Sequence, residues 1–162
     1  MYDTKSWKFN NKIMKKNIPL IQIVIIYLFL ISNGITKESN YYNEGIKLFK
    51  KKQFDKSKIL FERDIVFNPK SEKSYLYLAK IFKNKENDTE EERNLNNVLL
   101  LNPKNDEAIY MLTILKIKQS DYVKAKELIE QFNLVCKTFC EKKSEMKNKL
   151  EKITPKDEKN NN

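Results

Sequence analysis

The side chains that most often perform catalysis are scarce in this chain of 162 residues. It contains no histidine, so it lacks the commonest general base and the commonest metal ligand. Two cysteines are too few for a structural zinc site, and no serine or cysteine has a histidine to activate it. The only glycines, Gly34 and Gly45, form no phosphate-binding loop. We therefore predict that the protein is not an enzyme and takes no metal or other cofactor.

The consecutive acids Glu90, Glu91 and Glu92 come nearest to an acid–base site. Consecutive residues of a helix point in different directions, so these carboxyl groups would not converge on one substrate. With Thr89 they have the spacing of a capping box, and acids in the first turn of a helix are favoured by the helix dipole. The cluster is therefore interpreted as the start of a helix.

Cys136 and Cys140 stand four residues apart near a predicted C-terminal helix. One interpretation is a disulfide, which an oxidising compartment permits. The interpretation we favour is a pair of small buried apolar side chains, because a bridge between successive turns of one helix would be strained and constrain little. Placing Cys136 in the turn before the helix improves the geometry. The three intervening residues exclude a Cys-x-x-Cys redox motif.

A repeated dipeptide organises the middle of the chain. Asn68-Pro69 recurs as Asn102-Pro103, and each copy closes an apolar run. Proline ends a helix before the next begins, and the period that separates the two copies, about 34 residues, is typical of stacked helix-turn-helix units. Ser71 and Asn105 follow the prolines by two residues and are predicted to be helix N-caps.

Three consecutive units of this period resemble tetratricopeptide repeats: residues 38–71, 72–105 and 106–139. The in-phase positions are Tyr41, Gly45, Leu48, Phe54, Ser57 and Phe61 in the first unit, Tyr75, Leu78, Ala79, Phe82 and Leu95 in the second, and Ile109, Leu112, Tyr122, Ala125 and Ile129 in the third. The resemblance implies an all-α fold, a right-handed superhelical stack of helix-turn-helix units with a C-terminal capping helix. Small residues such as Gly45 and Ala79 are expected to let neighbouring helices approach closely.

At two positions where tetratricopeptide repeats have small residues, this sequence has charged residues instead. Asp64 occupies one in the first unit, and Glu91 occupies the other in the second unit. An array of three units is about the minimum for a stable stack, so the capping helix should matter. We predict this helix at residues 137–154, with Met146 and Leu150 on its apolar face and a polar outer side. Residues 155–162 lack apolar side chains and are expected to be disordered.

The N-terminal residues 1–34 are predicted to be a signal peptide or a membrane anchor. Lysines precede an apolar run at residues 18–31, and Ser32-Asn33-Gly34 has the small residues of a cleavage site. The run is short for a membrane-spanning helix, although extension to Ile35 approaches the lower limit. A translation start at Met14 is a further hypothesis. In either case the positive-inside bias places residues 36–162 outside the cytoplasm, in the periplasm or anchored to the inner membrane.

The resemblance also implies where a partner would bind. Tetratricopeptide arrays typically hold an extended or helical peptide on a concave surface lined mainly by the first helix of each unit. Carried over by position, the lining residues are Tyr42, Ile46, Phe49, Lys50, Lys73, Leu76, Lys80, Lys83, Tyr110, Ile114, Ile117 and Lys118. This mixture of apolar and basic side chains suits an acidic and apolar peptide segment.

Two functional hypotheses remain. The first is a protein–protein interaction scaffold, exported across the inner membrane, that binds a peptide segment of a partner in this groove. The alternative is a membrane-anchored structural subunit of a cell-envelope assembly complex. The net charge of +10 reflects a lysine-, asparagine- and isoleucine-rich composition, and no basic run with interleaved aromatics forms a compact patch. No nucleic-acid partner is therefore expected.

Overall fold

The computed structural model describes residues 40–153, and all regular secondary structure in this range is helical. The helices are α1 Asn40–Lys50, α2 Phe54–Phe67, α3 Glu72–Asn84, α4 Asp88–Leu101, α5 Asp106–Lys118, α6 Tyr122–Val135 and α7 Lys143–Ile153, with a short 3-10 helix Cys140–Lys142 before α7. The predicted all-α stack of helix-turn-helix units with a capping helix is confirmed. The predicted signal or anchor segment at residues 1–34 and the tail predicted to be disordered at residues 155–162 lie outside the described residues.

The helices alternate between two types that recur along the chain. The A helices are α1, α3 and α5, and the B helices are α2, α4 and α6. Each A helix packs against the B helix that follows it, and each of the first two B helices packs against the next A helix. The B helices begin at Phe54, Asp88 and Tyr122, which stand at equal intervals of one period. The turn chemistry and the packing therefore repeat with the period read from the sequence.

The three turns from an A helix to its B helix share one backbone geometry. Lys52, Glu86 and Ser120 occupy equivalent positions of the three units, and all three have a positive φ, of 57°, 54° and 62°. In each turn the next residue donates its backbone N–H to a carbonyl of the last turn of the A helix, at 2.9–3.0 Å, which closes the helix end. Glycine usually fills such a position because it has no Cβ. Lysine, glutamate and serine fill it here, so no glycine marks these turns in the sequence.

A small residue in each A helix sets the distance to its B helix. Gly45, Ala79 and Thr113 stand one period apart, and all three are buried. A Cβ on Gly45 would lie 2.8 Å from the ring of Phe61, so the ring occupies the space that any side chain there would need. The Ser57 hydroxyl donates a hydrogen bond to the Gly45 carbonyl oxygen at 2.9 Å. The predicted close approach at Gly45 is confirmed.

The buried apolar side chains of residues 40–153 form two clusters. The first joins α1, α2 and α3, and it is aromatic: the Phe61 ring stacks on Tyr77 with centroids 5.0 Å apart and lies 6.0 Å from Tyr42. The second extends from α3 to α7 and is largely aliphatic. Met146 and Leu150 of α7 belong to it, and Met146 is completely buried. The capping helix therefore closes the aliphatic core, which would otherwise end at an apolar face of α5 and α6.

Side-chain caps mark the starts of α4, α5 and α6. Asn87, Asn105 and Asp121 accept hydrogen bonds from backbone N–H groups three residues later. The predicted cap at Asn105 is confirmed. The predicted capping box from Thr89 is wrong, because α4 begins at Asp88 and Asn87 is its N-cap.

Ser71 occupies the predicted N-cap position of α3, but its hydroxyl points elsewhere. It donates to the Oδ2 atom of Asp64 at 2.5 Å, and the Ser74 hydroxyl donates to the same oxygen. Asp64 is only 1% exposed. Its buried carboxylate is therefore supplied with donors by residues at the start of α3, which explains how a charged residue is accommodated at a position where the repeat usually has a small one.

The chain between α6 and α7 folds around a buried carboxylate. Asp106, the first residue of α5, accepts backbone N–H bonds from Lys137, Thr138 and Phe139 at 2.7, 2.6 and 3.1 Å. A Cys136–Cys140 disulfide closes this turn, with the two Cα atoms 5.3 Å apart. The interpretation of the cysteines as unbridged buried side chains is therefore wrong. Cys136 is the C-cap residue that follows α6 and Cys140 begins the 3-10 helix, so the bridge does not join turns of one α-helix.

This turn also explains why the capping helix begins later than predicted. The sequence places its start at residue 137, but the backbone N–H groups of residues 137–139 are committed to Asp106. The α-helical hydrogen-bonding pattern then begins at Lys143. A turn that binds a distant carboxylate leaves no periodic signal of its own.

Replacing Gly45 with alanine should destabilise the protein. Alanine gains about 1 kcal/mol of helix propensity, but overpacking costs about 1–3 kcal/mol, and Phe61 is completely buried with Tyr77 stacked on it. The difference is a net loss of up to about 2 kcal/mol of unfolding free energy, which urea unfolding measures. Gly45→Ala should be much less harmful in a Phe61→Leu background, which recreates the Ala79 and Leu95 pair of the second unit. Equal effects in both backgrounds would contradict the steric explanation.

Replacing Asp106 with asparagine should destabilise the C-terminal turn in a pH-dependent way. Burial opposes ionisation, but the three backbone hydrogen bonds and the Thr138 hydroxyl outweigh it and lower the pKa of Asp106 to about 2. The stabilisation is therefore present above the ordinary pKa and is lost as pH falls through about 2. We expect Asp106→Asn to lose about 2 kcal/mol at pH 7, and the difference from wild type to shrink as the solution becomes more acidic than the ordinary pKa.

The matched control is Asp55→Asn. Asp55 is exposed and paired with Lys85, and exposed pairs contribute little. A loss at Asp55 equal to that at Asp106 would show that the turn is not what stabilises the C-terminal end.

Candidate functional site

Side-chain contacts join the A helices and α7 into one row. Phe49 of α1 contacts Tyr77 of α3, with ring centroids 5.0 Å apart. Lys80 of α3 pairs with Glu107 of α5 at 2.8 Å. Tyr110 of α5 donates its hydroxyl hydrogen to Glu145 of α7 at 3.0 Å. We call the surface carrying these contacts the A-helix face.

The residues predicted to line a groove have three different environments. Lys50, Lys73, Lys83 and Lys118 are exposed, and Ile46, Phe49, Lys80, Tyr110 and Ile114 are partly buried. Tyr42, Leu76 and Ile117 are buried, with 7%, 9% and 4% of their surface exposed. Tyr42 belongs to the aromatic cluster, and Leu76 and Ile117 belong to the aliphatic core, which corrects the assignment of all three to the groove lining. All three side chains are covered by residues of neighbouring helices.

The predicted groove lysines differ in their partners. Lys80 pairs with Glu107 and also lies over the Tyr77 ring, with its Nζ atom 5.0 Å from the centroid. Lys118 pairs with Asp88 at 2.6 Å, and the Nζ atom of Lys73 lies 5.6 Å from the Tyr42 centroid. The positive charges of Lys80 and Lys118 are therefore largely balanced by acidic side chains of the protein itself.

The two remaining groove lysines, Lys50 and Lys83, present their charge to the solvent. Both are exposed, and each lies in the last turn of its A helix, α1 or α3. A lysine in the last turn is stabilised by the helix dipole without an acidic partner. These two side chains are therefore the groove cations best placed to contact an external carboxylate.

Sequence reasoning missed Tyr77 and Glu107 as members of this surface. Tyr77 is partly buried and touches the rings of Tyr42, Phe49 and Phe61. Together with the contact between Lys73 and Tyr42, Tyr77 links α3 to α1. Glu107 stands one period after Lys73, at a position already assigned to the groove. The repeat period could therefore have identified Glu107, although not its pairing with Lys80.

The C-terminal helix occupies the end of the A-helix face. Tyr110 donates to Glu145, its ring centroid lies 6.1 Å from that of Phe139, and the Lys142 Nζ atom lies 5.7 Å from its centroid. Burial and the contact with Glu145 raise the pKa of Tyr110 to about 12. Residues 110 and 145 are as far apart in the sequence as Tyr42 and Tyr77, which also touch. The helix α7 thus stands where a fourth A helix would, and Tyr110 is engaged by it.

One corner of the face contains a buried acid. Glu91 of α4 is 4% exposed, and burial raises its pKa to about 7 despite the opposing effect of Lys83 and Lys118. Asp88 adds to the rise. The groups that act on Glu91 thus come from α3, α4 and α5, and two of them are predicted groove lysines. The charge of this corner therefore changes near neutral pH.

Two further properties concern the described range as a whole. Within residues 40–153 no group of three or more acidic or cysteine side chains is arranged to hold a metal ion. None of the helices between Asn40 and Ile153 has the length and apolar character needed to cross a membrane.

Solved structures with the same fold are tetratricopeptide domains and related helical-repeat proteins. The first tetratricopeptide domain of Spaghetti (RPAP3), bound to the HSP90 peptide SRMEEVD, has a TM-score of 0.63 and 15% identity over 70% of this chain and 90% of its own. The second domain of human RPAP3, in complex with the HSP70 peptide SGPTIEEVD, has a TM-score of 0.62 and 14% identity over 68% and 92%.

A bacterial structure is also similar. The type III secretion chaperone SycD of Yersinia enterocolitica, in complex with a peptide of the translocator YopD, has a TM-score of 0.63 and 11% identity over 75% of this chain and 96% of its own. No family model matches the sequence, and no curated protein matches it. The fold is thus that of tetratricopeptide domains, at sequence identities that establish the fold alone.

Glu91 should make stability depend on pH near neutrality. Its folded-state pKa is raised above its ordinary value of 4.5, so its contribution is greatest below that value and is lost as pH rises through about 7. Wild type should lose about 2–3 kcal/mol of unfolding free energy across that window from this group. Glu91→Gln should remove that slope and raise the melting temperature in mildly alkaline buffer.

The neighbouring Glu90→Gln is the control, because Glu90 forms an ion pair with Arg93 on the outside of α4. It should retain the wild-type slope. Loss of the slope in Glu90→Gln, or its persistence in Glu91→Gln, would show that another group titrates.

Proposed function

We propose that this protein is a non-enzymatic interaction scaffold whose A-helix face binds a peptide segment of a partner protein. The observation that carries the proposal is the row of contacts joining α1, α3, α5 and α7, because it holds partly exposed apolar side chains at fixed spacing. Ile46, Tyr77 and Ile114 are such side chains. A rigid, pre-formed surface loses little entropy when it binds an extended segment. The peptide complexes of Spaghetti and SycD support this use of the fold.

The charge of the face supports a ligand of acidic and apolar character. Lys50 and Lys83 are exposed near the ends of α1 and α3. Glu107 offsets Lys80, so the positive potential is strongest over the ends of these two helices. A bound segment would therefore place its carboxylates toward the first two units and apolar side chains against Ile46 and Tyr77.

We also propose that residues 36–162 lie outside the cytoplasm. The lysines before the apolar run at residues 18–31 support export. The Cys136–Cys140 disulfide supports an oxidising compartment, because cytosolic reductants keep most thiols reduced. Cell fractionation followed by an alkaline wash tests the form of the protein. Release into the soluble fraction supports the exported scaffold, and retention in the membrane supports the alternative of an anchored structural subunit.

Binding can be tested with a peptide library and the full-length chain. Peptides that combine Asp or Glu with apolar residues should be selected, and Lys50→Gln/Lys83→Gln should weaken them about 5–20-fold, since each exposed ionic contact contributes up to about 1 kcal/mol. Ile46→Ser should weaken them about 10-fold through lost apolar contact. Fluorescence anisotropy of a labelled peptide measures both.

The matched control is Lys56→Gln/Lys126→Gln, which removes the same charge from exposed positions on the B helices α2 and α6. This variant should bind like wild type. Equal weakening by the two double variants would indicate a general charge effect, and undiminished binding by Ile46→Ser would place the peptide elsewhere.

A further inference from the structure

The ends of the three B helices carry exposed apolar side chains in register. Val66, Leu100 and Leu134 are the penultimate residues of α2, α4 and α6, and each stands one period from the next. They are 75%, 81% and 87% exposed, among the most exposed apolar side chains of the described range. Phe67 and Leu101, the last residues of α2 and α4, are 71% and 37% exposed. Because equivalent positions of stacked units lie side by side, these five residues form a row, which we call the B-end stripe.

A lysine follows each part of the B-end stripe in the adjoining turn. Lys70, Lys104 and Lys137 come three or four residues after Val66, Leu100 and Leu134, and all three lysines are exposed. The sequences Val-Phe-Asn-Pro-Lys and Leu-Leu-Asn-Pro-Lys show the arrangement in the first two units. Each turn therefore presents an apolar side chain with a flexible positive charge beside it.

Three acids in or beside the same turns are held by hydrogen bonds within the protein. Asp64 is held by the Ser71 and Ser74 hydroxyls. Glu72 accepts hydrogen bonds from the side-chain amides of Asn102 and Asn105 at 3.0 and 2.5 Å. Asp106 is enclosed by the backbone N–H groups of residues 137–139. These hydrogen bonds hold the three carboxyl groups within the protein. The lysines of the turns remain exposed at this edge.

The exposed acids nearest in sequence lie one helical turn before the stripe. Glu62 precedes Val66 by four residues and pairs with Lys58 at 2.8 Å, and Glu130 precedes Leu134 by four residues. Both stand on the body of their helix, whereas the lysines stand in the turns beyond the helix ends. Glu141, in the 3-10 helix after α6, is the exposed acid of the third turn, so the turns carry exposed Lys70, Lys104 and Lys137 against one exposed acid and their charge is net positive.

We propose that the B-end stripe docks on the surface of an anionic lipid bilayer. Aliphatic and aromatic side chains of this kind enter the boundary between headgroups and acyl chains, and adjacent lysines interact with lipid phosphates. Val66, Leu100 and Leu134 project from the helix ends, whereas the Phe67 ring stacks on the Tyr41 ring with centroids 5.7 Å apart. The interior of a bilayer can accommodate projecting apolar side chains without a complementary groove. Pairing of two stripes from two copies would bring two rows of lysines together, which opposes self-association. The inference uses neither the A-helix face nor the apolar run at residues 18–31.

The test places a tryptophan in the stripe of the full-length chain. Trp7 is the only tryptophan of the sequence, so Leu100→Trp is made in a Trp7→Phe background. The probe is a vesicle of equal parts phosphatidylglycerol and phosphatidylcholine, with brominated lipids as quenchers. The emission of the introduced tryptophan should shift to the blue and be quenched on the vesicles. Asn84→Trp in the same background is the matched control, because Asn84 is exposed at the end of α3, away from the B-helix ends; its emission should change little.

This pair distinguishes the stripe from any contact made by the apolar run, which both variants retain. Quenching of neither tryptophan, or equal quenching of both, overturns the proposal. Equal quenching of Leu100→Trp on pure phosphatidylcholine vesicles also overturns it, because the lysines would then have no role. A dimer in sedimentation velocity without lipid that is lost in Val66→Asn/Leu134→Asn would overturn it in favour of a second copy.

The lysines are tested by Lys70→Gln/Lys104→Gln/Lys137→Gln in the Leu100→Trp protein. Each lysine near an anionic surface contributes about a factor of five, so partitioning of the stripe should weaken on the order of 100-fold. The control Lys56→Gln/Lys126→Gln/Lys152→Gln removes as much charge from other exposed positions and should weaken it much less. All six positions are exposed, so circular dichroism should show unchanged helix content. Equal losses in the two triple variants would overturn the assignment to this edge.

Discussion

The close approach of each A helix to its B helix is the constraint on which this array depends. Gly45 shows it most directly, since the Phe61 ring fills the space where a Cβ would stand. Ala79 and Leu95, one period later, are both completely buried and belong to one core cluster. When the small residue holds the two helices together, their remaining apolar positions can meet the next unit. The aromatic cluster around Tyr77 and the aliphatic core toward α7 are both consequences of that spacing.

Polar contacts between units determine which charged side chains remain exposed on the A-helix face and at the B-helix ends. The acids at the starts of α3 and α5 accept hydrogen bonds from the turn that follows the next B helix. Glu72 accepts from the turn after α4, and Asp106 accepts from the turn after α6. This leaves an edge of apolar and lysine side chains at the B-helix ends. On the A-helix face the balance is different, because Glu107 and Asp88 pair with lysines. The same domain therefore has one surface on which acids and lysines are paired, and another, at the B-helix ends, where each turn carries an exposed lysine.

The two departures from the repeat pattern have different physical outcomes. Asp64 is almost fully buried, but two serine hydroxyls donate to it, so its charge is accommodated. Glu91 is also buried, and burial raises its pKa more than the positive charges of Lys83 and Lys118 lower it. Asp64 thus forms hydrogen bonds that connect α2 to the start of α3, whereas Glu91 lowers the free energy of unfolding when it ionises. Both stand in a stack near the minimum number of units, where α7 and the turn around Asp106 complete the core.

The sequence by itself determined the period, the helix order and the capping segment. Small residues and apolar spacing are local signals that recur in all three units, and the Asn-Pro dipeptide is a local signal at the ends of the first two. Only the tertiary structure decided three other features. These are the burial of Leu76 and Ile117, the pairing of Lys80 with Glu107, and the hydrogen bonding of Asp106 to a later turn. Each depends on groups from another helix, and a helical face in sequence does not show which neighbour covers it. The disulfide also depends on a residue of another helix. Asp106, the first residue of α5, accepts hydrogen bonds from the turn between α6 and α7, and this turn brings the two cysteines together.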